Sequence, residues 1–470
     1  MKRLITLLST LFLVLMSCQQ NPIPEMAEFP EDGIVTKSLS TGKVTPDDPI
    51  VFLPTTDMKA WTDIGPLEDR FAACEVPAAR LESMTTEALV KSMMNYPLNY
   101  LVFFYNDPND AIDLIMEYSP LHQEFLTRQD AAEVYVKFYA AADLDMSLGK
   151  SDHDGNYTSL SYINAMFMDY FLGSKLMTGL GKVSVKQVLI DAVVKKLQER
   201  IDKTDIFSEL SIRPLLYLNE SESLGISATV NLYTTRDTQT GVLPRGKFYR
   251  WTDYPEASAS ELNMLTQAAT SNYPNAILKG PSTMKYNSHS YAWLETNTTN
   301  VKYLSFDQIN VFLTSEPLFV SCSDDASAKI VLYTDDEHSA VRIDANTYIS
   351  KWGFGPLMQH APTYCPYIQT NKQYFKPHVT YGKRTISGNP AVTINQANIY
   401  TVSGNGNGFA YECVVRFMDA PTPTPFEFSE ISNNQYRLVC HDYGYFKIDL
   451  SGYFNGYCFE VNQFGVTCMP

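Results

Sequence analysis

Between Tyr286 and Trp293 the chain reads Tyr-Asn-Ser-His-Ser-Tyr-Ala-Trp, which sets two hydroxyls and an imidazole on three consecutive residues. These residue types perform nucleophilic acyl chemistry: a serine attacks a carbonyl when a neutral base takes its proton and N–H donors hold the developing oxyanion. The run Ser288 to Glu295 can form a helix with Tyr291 and Ala292 facing inward, and a hydroxyl at a helix start sits beside free N–H groups and the positive end of the dipole. Ser258 with Glu261 forms a capping box for a helix through Leu262, Leu265 and Ala269 that delivers the chain to Pro274 and this motif. Downstream, Lys329 to Tyr333 reads as a strand, Asp335 to Glu337 as a turn, and His338 to Val341 as the returning strand. If Asp344 to Asn346 closes a hairpin, His338 lies across from Trp352 and diagonal to Ser350 on one face.

The motif resembles the Asn-Cys-His-Ser-Tyr-Ala-Trp signature of bacterial papain-like amidohydrolases, distant relatives of the CHAP and NlpC-type cell-wall hydrolases. His338-Ser339-Ala340-Val341 is similar to that family's histidine strand and Ser350-Lys351-Trp352-Gly353 to its Ser-Lys-Trp-Gly segment, with Gly355-Pro356-Leu357 and His360 to Tyr367 continuing the likeness. The resemblance covers roughly 270 to 370, in three separated blocks. It implies a nucleophile position at Ser288, a base at His338 and an orienting group at Ser350, with His360 as the alternative. It also implies an oxyanion hole that draws on Asn287 and the backbone N–H of Ser288, and a supporting position for Trp352. His289 reads as structural, because a helix points the residue after the nucleophile elsewhere.

The departure lies at the nucleophile. A thiol is brought to thiolate by a helix end and an imidazolium, whereas a serine hydroxyl needs its proton removed in the transition state and an oxyanion hole set for the shorter C–O bond. A site shaped around sulfur meets those demands poorly, so weakened catalysis is expected. Cys365 is not a natural substitute: burial, or pairing with Cys322, accounts better for a cysteine that precedes Pro366 in a loop.

The elements that must position these residues fall into three regions. From about 56 to 210 the pattern is helical. Asp107 and Pro108 cap a helix carrying Ala111, Ile112, Ile115 and Met116; Thr85 or Thr86 opens a helix through Leu89 and Met93 that Pro97 stops; and Ser184 with Gln187 suggests another capping box. The Met- and aromatic-rich run around Met166, Met168, Tyr170 and Phe171 reads as core. Thr86 to Val90 is also similar to a segment of an N-terminal domain that accompanies this kind of site in secreted bacterial proteins, which implies no activity. Asp152, Asp154 and Asn156 fail as a calcium loop, with Tyr157 at the glycine position and Ile163 at the terminal glutamate position. Around 225 the period changes, and Ile226 to Tyr233 alternates like a strand. After about 375 short Tyr-, Val- and Phe-rich runs separated by turns such as Gly404 to Gly408, and by a proline-rich loop at Thr422 to Pro425, predict a β-sandwich of about ninety residues that resembles immunoglobulin-like surface modules. The expected fold class is multidomain α+β: a helical domain at 56–210, a papain-like α+β domain at 211–375 and an immunoglobulin-like β-sandwich at 376–470.

The first residues suggest an address. Lys2 and Arg3 precede the apolar run Leu4 to Leu15, and Leu15-Met16-Ser17-Cys18 looks like a lipobox, so residues 1–18 are read as a lipoprotein signal peptide, Cys18 as the lipidated residue and 19–55 as a tether rich in Pro, Ser, Thr and Asp. The expected location is the bacterial cell envelope, anchored by lipid to the outer membrane, with the face left open. Fifty-two acidic against 36 basic residues leave no basic stripe for nucleic acid. Of eight cysteines, four (Cys413, Cys440, Cys458 and Cys468) crowd the last sixty residues, as in a disulfide-stapled domain, with three pairings open. No pair has metal-finger spacing, and neither a metal nor a cofactor is expected. The functional expectation is an envelope lipoprotein whose hydrolase-derived domain is weakened in catalysis and binds cell-wall peptide or glycan. The alternatives are an active amidase or peptidase with Ser288 as nucleophile and His338 as base, and a structural or adhesive surface protein.

Overall fold

The computed structural model describes residues 45–145, 159–176, 183–222, 238–381, 384–404, 409–418, 426–432, 434–441 and 444–469. Cys18 and the leader, the Asp152 to Asn156 turn, the expected strand at Ile226 to Tyr233 and the loop at Thr422 to Pro425 lie outside these residues. The chain is mixed α+β, with helices first and mainly antiparallel sheets after them.

Local sequence sets the helix ends. Thr85 accepts from the Ala88 N–H to open Thr86–Met94, whose Leu89 and Met93 are buried, and the helix ends ahead of Pro97. Asp107 accepts from Asn109 N–H with Pro108 at the first helical position of Pro108–Tyr118. Ser258 and Glu261 form the full capping box of Ala259–Asn272. The Ser184 box is a correction: Ser184 lies inside the helix Val183–Ile201. Among the described residues no helix is long and apolar enough to cross a membrane.

Two short pairs, β1 (Asp143–Asp145) with β2 (Ser159–Ser161) and β3 (Thr238–Val242) with β4 (Phe248–Thr252), precede the main sheet. That sheet has seven antiparallel strands: β5 (Ile277–Gly280), β6 (Phe319–Cys322), β7 (Ile330–Tyr333), β8 (His338–Arg342), β9 (Tyr348–Lys351), β10 (Leu357–His360) and β11 (Lys372–Pro377), in the order β5-β10-β9-β8-β7-β11-β6. The hairpin turns where expected: Val341 faces Ile349 and Arg342 faces Tyr348, a register that carried back sets His338 opposite Trp352.

Alternation along these strands gives the sheet two different faces. Val331, Tyr333, Ala340, Tyr348, Trp352 and Met358 join one continuous core with the helices from Phe52 to Leu215. Ile330, Leu332, Val341, Leu357 and Phe375 face a second core built on Trp293, Leu294, Phe312 and Phe319, which Phe459 near the C-terminus also enters.

Beyond Pro377 the chain forms two facing sheets. One contains β12 (Thr380–Tyr381), β14 (Ala391–Thr393), β16 (Ala410–Phe417), β19 (Gly444–Phe454) and β20 (Tyr457–Met469); β12 and β14 pair with β20 in parallel. The other contains β13 (Thr385–Ser387), β15 (Ala397–Ser403), β17 (Phe426–Ser432) and β18 (Gln435–Cys440). Their inner faces share a core of Tyr400, Leu438, Phe446, Ile448 and Val466.

Candidate functional site

Ser288 begins a short helical stretch whose last residues, Ser290–Leu294, widen to a π-turn. Asn287 caps it: its Oδ1 accepts from the backbone N–H of Ser290 at 3.1 Å and of Leu304 at 3.2 Å, while its Nδ2 donates to the Leu304 carbonyl at 2.7 Å. The first bond closes the Ser288 turn itself, and the other two hold it to the backbone at Leu304. The amide that the resemblance assigns to an oxyanion hole is thus engaged in the fold.

The Ser288 hydroxyl is buried, with no exposed surface. Its Oγ accepts from Asn106 Nδ2 at 3.2 Å and from the Ser339 backbone N–H at 3.4 Å. A hydroxyl oxygen has two acceptor lone pairs, so both face N–H donors and neither is presented to a carbonyl carbon. Among the described residues no hydrogen bond joins Ser288 to His338.

Strand alternation explains the separation. Ser339 is on the face of β8 that meets the Ser288 turn, where its Oγ accepts from Trp293 Nε1 at 2.9 Å and bonds His289 Nδ1 at 2.8 Å. His338 points to the opposite face, toward the helical region. There its ring stacks on Tyr367, centroids 3.5 Å apart and planes at 14°, and it tilts against Tyr333. Its Nε2 is buried with no hydrogen-bond partner. Burial, with His289 and His360 nearby, holds its pKa well below the ordinary imidazole value, so the ring is neutral at pH 7. A neutral imidazole suits a general base, but here its Nε2 has no proton within hydrogen-bonding reach to take.

Ser350 is drawn into another pair. Its hydroxyl bonds His360 Nε2 at 2.9 Å and accepts from Trp352 Nε1 at 3.0 Å. Because His360 Nδ1 lies 2.8 Å from the Ala361 carbonyl, that nitrogen carries the proton and Nε2 accepts from Ser350. Ser350 therefore orients His360, not His338, and Trp352 is fully buried beneath the pair. Cys365 is buried and not bridged to Cys322; burial pushes its thiol up to about 11.

Asn106, which the sequence did not single out, decides access. It comes from the helical region, on the loop between the Leu101–Phe104 and Pro108–Tyr118 helices. Its Nδ2 lies 3.2 Å from Ser288 Oγ, 3.1 Å from His289 Nε2 and 2.8 Å from the Glu337 carbonyl. The carbonyl can only accept, which fixes the amide orientation and makes His289 Nε2 an acceptor with its proton on Nδ1. Burial keeps His289 neutral, its pKa drawn down to about 3.

The segment around Asn106 is tied in along its length. The Phe103 carbonyl accepts from Phe354 N–H at 2.8 Å, the Phe104 carbonyl from Tyr367 OH at 2.6 Å, and the Asn106 carbonyl from Tyr303 OH at 2.6 Å. Tyr105 OH donates to Asp336 Oδ1 at 2.9 Å, and burial raises the Asp336 carboxyl to about 7. Gly353, at φ +49°, lies so close that a Cβ there would be 2.4 Å from the Tyr105 carbonyl oxygen. The sequence signal was weak: Asn-Asp-Pro reads as a helix cap, and nothing in it points 180 residues downstream.

Beside the Ser288 turn lies an open groove of about 400 Å³, whose lining is largely apolar, from Leu262, Pro281, Tyr286 and Val301, with polar side chains that include Glu256, Thr283, Lys285 and Asn300 among them. Glu256 shapes its floor by accepting from the Met284 N–H at 2.9 Å and the Thr283 hydroxyl at 2.5 Å. Among the described residues no three His, Cys, Asp or Glu side chains gather as a metal site. No protein-family model and no curated protein matches this chain.

Proposed function

We propose that this chain is a lipid-anchored protein of the bacterial cell envelope whose papain-like, hydrolase-derived domain has lost catalysis and binds cell-wall peptide or glycan, followed by an immunoglobulin-like sandwich. One observation carries the loss of catalysis: Ser288 Oγ is sealed under Asn106, accepts two N–H bonds and makes none to His338. The reading as an active amidase needs that missing bond and a path for a substrate carbonyl. The binding half rests on the groove beside the Ser288 turn, whose hydroxyl, amide and charged side chains suit the amides and hydroxyls of peptidoglycan.

The test compares wild type, Ser288→Ala and Ser288→Cys on purified peptidoglycan, reading both hydrolysis and co-sedimentation. Wild type and Ser288→Ala should sediment equally and hydrolyse nothing. Hydrolysis by wild type that Ser288→Ala abolishes would restore the enzyme reading. A second reading, a structural or adhesive role, is favoured by the way Ser350, Trp352, His360 and Asn287 spend their polar atoms inside the fold. Failure of wild type to sediment with peptidoglycan would favour it.

A further inference from the structure

The four cysteines of the C-terminal region admit three full pairings, and the strand arrangement argues for a single bridge that includes neither Cys413 nor Cys458. Cys413 on β16 faces Leu450, and Cys458 on β20 faces Tyr453, on opposite sides of the intervening β19. Two strand spacings, roughly 9.6 Å, exceed what a disulfide spans between Cα atoms, so these two cannot be bridged to each other.

Cys440 and Cys468 are placed differently. Leu438 and Cys440 alternate inward from β18, and Val466 and Cys468 inward from β20, into one core; Cys440 has no exposed surface and Cys468 3 %. The strands belong to the two facing sheets, which ordinarily stand about 10 Å apart. Here they are pinched together by one tight turn. Thr393 to Gln396 closes with Gln396 N–H donating to the Thr393 carbonyl at 3.2 Å, and Asn395 takes φ +61° within it. A β-turn holds its end Cα atoms within about 7 Å. Before the turn, Val392 faces Cys468 and Ile394 N–H donates to the Met469 carbonyl. After it, Ala397 faces Val439, and Asn395 N–H donates to the Cys440 carbonyl at 2.8 Å. The two thiols, not bridged in this structure, are brought close enough for each to act on the other's charge.

We propose that Cys440 and Cys468 form an oxidation site, closing to a disulfide that staples the two sheets of the C-terminal sandwich. The two thiols lose two protons and two electrons to a thiol–disulfide oxidant, such as an oxidoreductase disulfide or oxidised glutathione. One cysteine thiolate attacks the oxidant's disulfide, a mixed disulfide forms, and the second thiolate displaces the reduced oxidant. Both sulfurs are shut away in the folded sandwich, so the exchange belongs to the folding stage, before β14 and β15 close the turn over them. The inference is independent of what the Ser288 region does.

The test uses the full chain refolded with oxidised and reduced glutathione, quenched with N-ethylmaleimide and digested without reduction. Cleavage at Arg416, Arg437, Lys447 and Glu460 puts the four cysteines on four different peptides. The expected result is one linked pair, the Cys440 and Cys468 peptides, lighter than their sum by two hydrogens, and the same pair in a Cys413→Ser, Cys458→Ser chain. Alkylation of both Cys440 and Cys468 after refolding in oxidant, or linkage of either to Cys413 or Cys458, overturns it.

Discussion

If Asn106 is what closes the site, removing its amide should unlock position 288 without unfolding the chain. The perturbation is Asn106→Ala in a Ser288→Cys background, where the new thiol reports access directly. The Asn106 amide has two N–H donors shared among the residue-288 side chain, His289 Nε2 and the Glu337 carbonyl, all at 3.2 Å or less in wild type. Losing two hydrogen bonds to these acceptors costs the closed arrangement about 2 kcal/mol. Where reclosing outpaces alkylation, the labelling rate is the open fraction times the intrinsic rate, so 2 kcal/mol becomes roughly a 30-fold acceleration. The assay is iodoacetamide labelling read peptide by peptide in the mass spectrometer, with buried Cys365 as the control for global opening. Three results refute the reasoning: the single Ser288→Cys chain labels as fast as a free thiol, Asn106→Ala changes the rate less than threefold, or Cys365 accelerates in step with position 288.

Gly353→Ala should act on the same segment from the other side, because its Cβ would meet the Tyr105 and Phe103 carbonyls at 2.4 and 2.6 Å and φ is already +49°; we expect a loss of roughly 3 kcal/mol in urea unfolding and faster labelling at Ser288→Cys. Lys351, fully buried, gives its ammonium to the Thr283, Gly353 and Gly355 carbonyls, so Lys351→Met should cost about 3 kcal/mol by leaving them without a donor. Burial draws the Lys351 pKa down to about 7, below its unfolded value near 10.4, so between those pH values the unfolded chain holds a proton the folded chain lacks and this residue's contribution to stability rises with pH; denaturant midpoints of Lys351→Met should lack that rise. His122 and His289 are drawn to about 3 and His360 to about 4 by burial, so each contributes stability above pH ~6.5 that falls by about 1.4 kcal/mol per unit as pH drops below that value, with Asp336, raised to about 7, opposing them. Urea unfolding at pH 4.5 to 7.5 measures the net slope, and a flat profile would contradict the burial of these rings.

The sequence alone determined what depends on near neighbours. Caps at Thr85, Asp107 and Ser258 are visible because the hydrogen bond closes within three residues, and the His338 hairpin is visible because a turn at Asp344 to Asn346 sets its register. The Ser184 cap failed, because Ser184 lies inside its helix and a polar residue suits a helix turn near the start as well as the cap. What the tertiary structure decided lies across long separations. Asn106 reaches Ser288 over 182 residues, and no local pattern encodes that meeting. Ser288 and His338 stand in the right order along the chain, yet they are parted by the two-residue alternation of β8, which sends Ser339 to the face of the Ser288 turn and His338 to the other. The cysteine partners follow the same logic. Sequence offered three full pairings, and the structure points to a single bridge: β19 keeps Cys413 and Cys458 apart, while the turn at Thr393 to Gln396 pinches two sheets together at Cys440 and Cys468, because a disulfide obeys distance through space and not spacing along the chain.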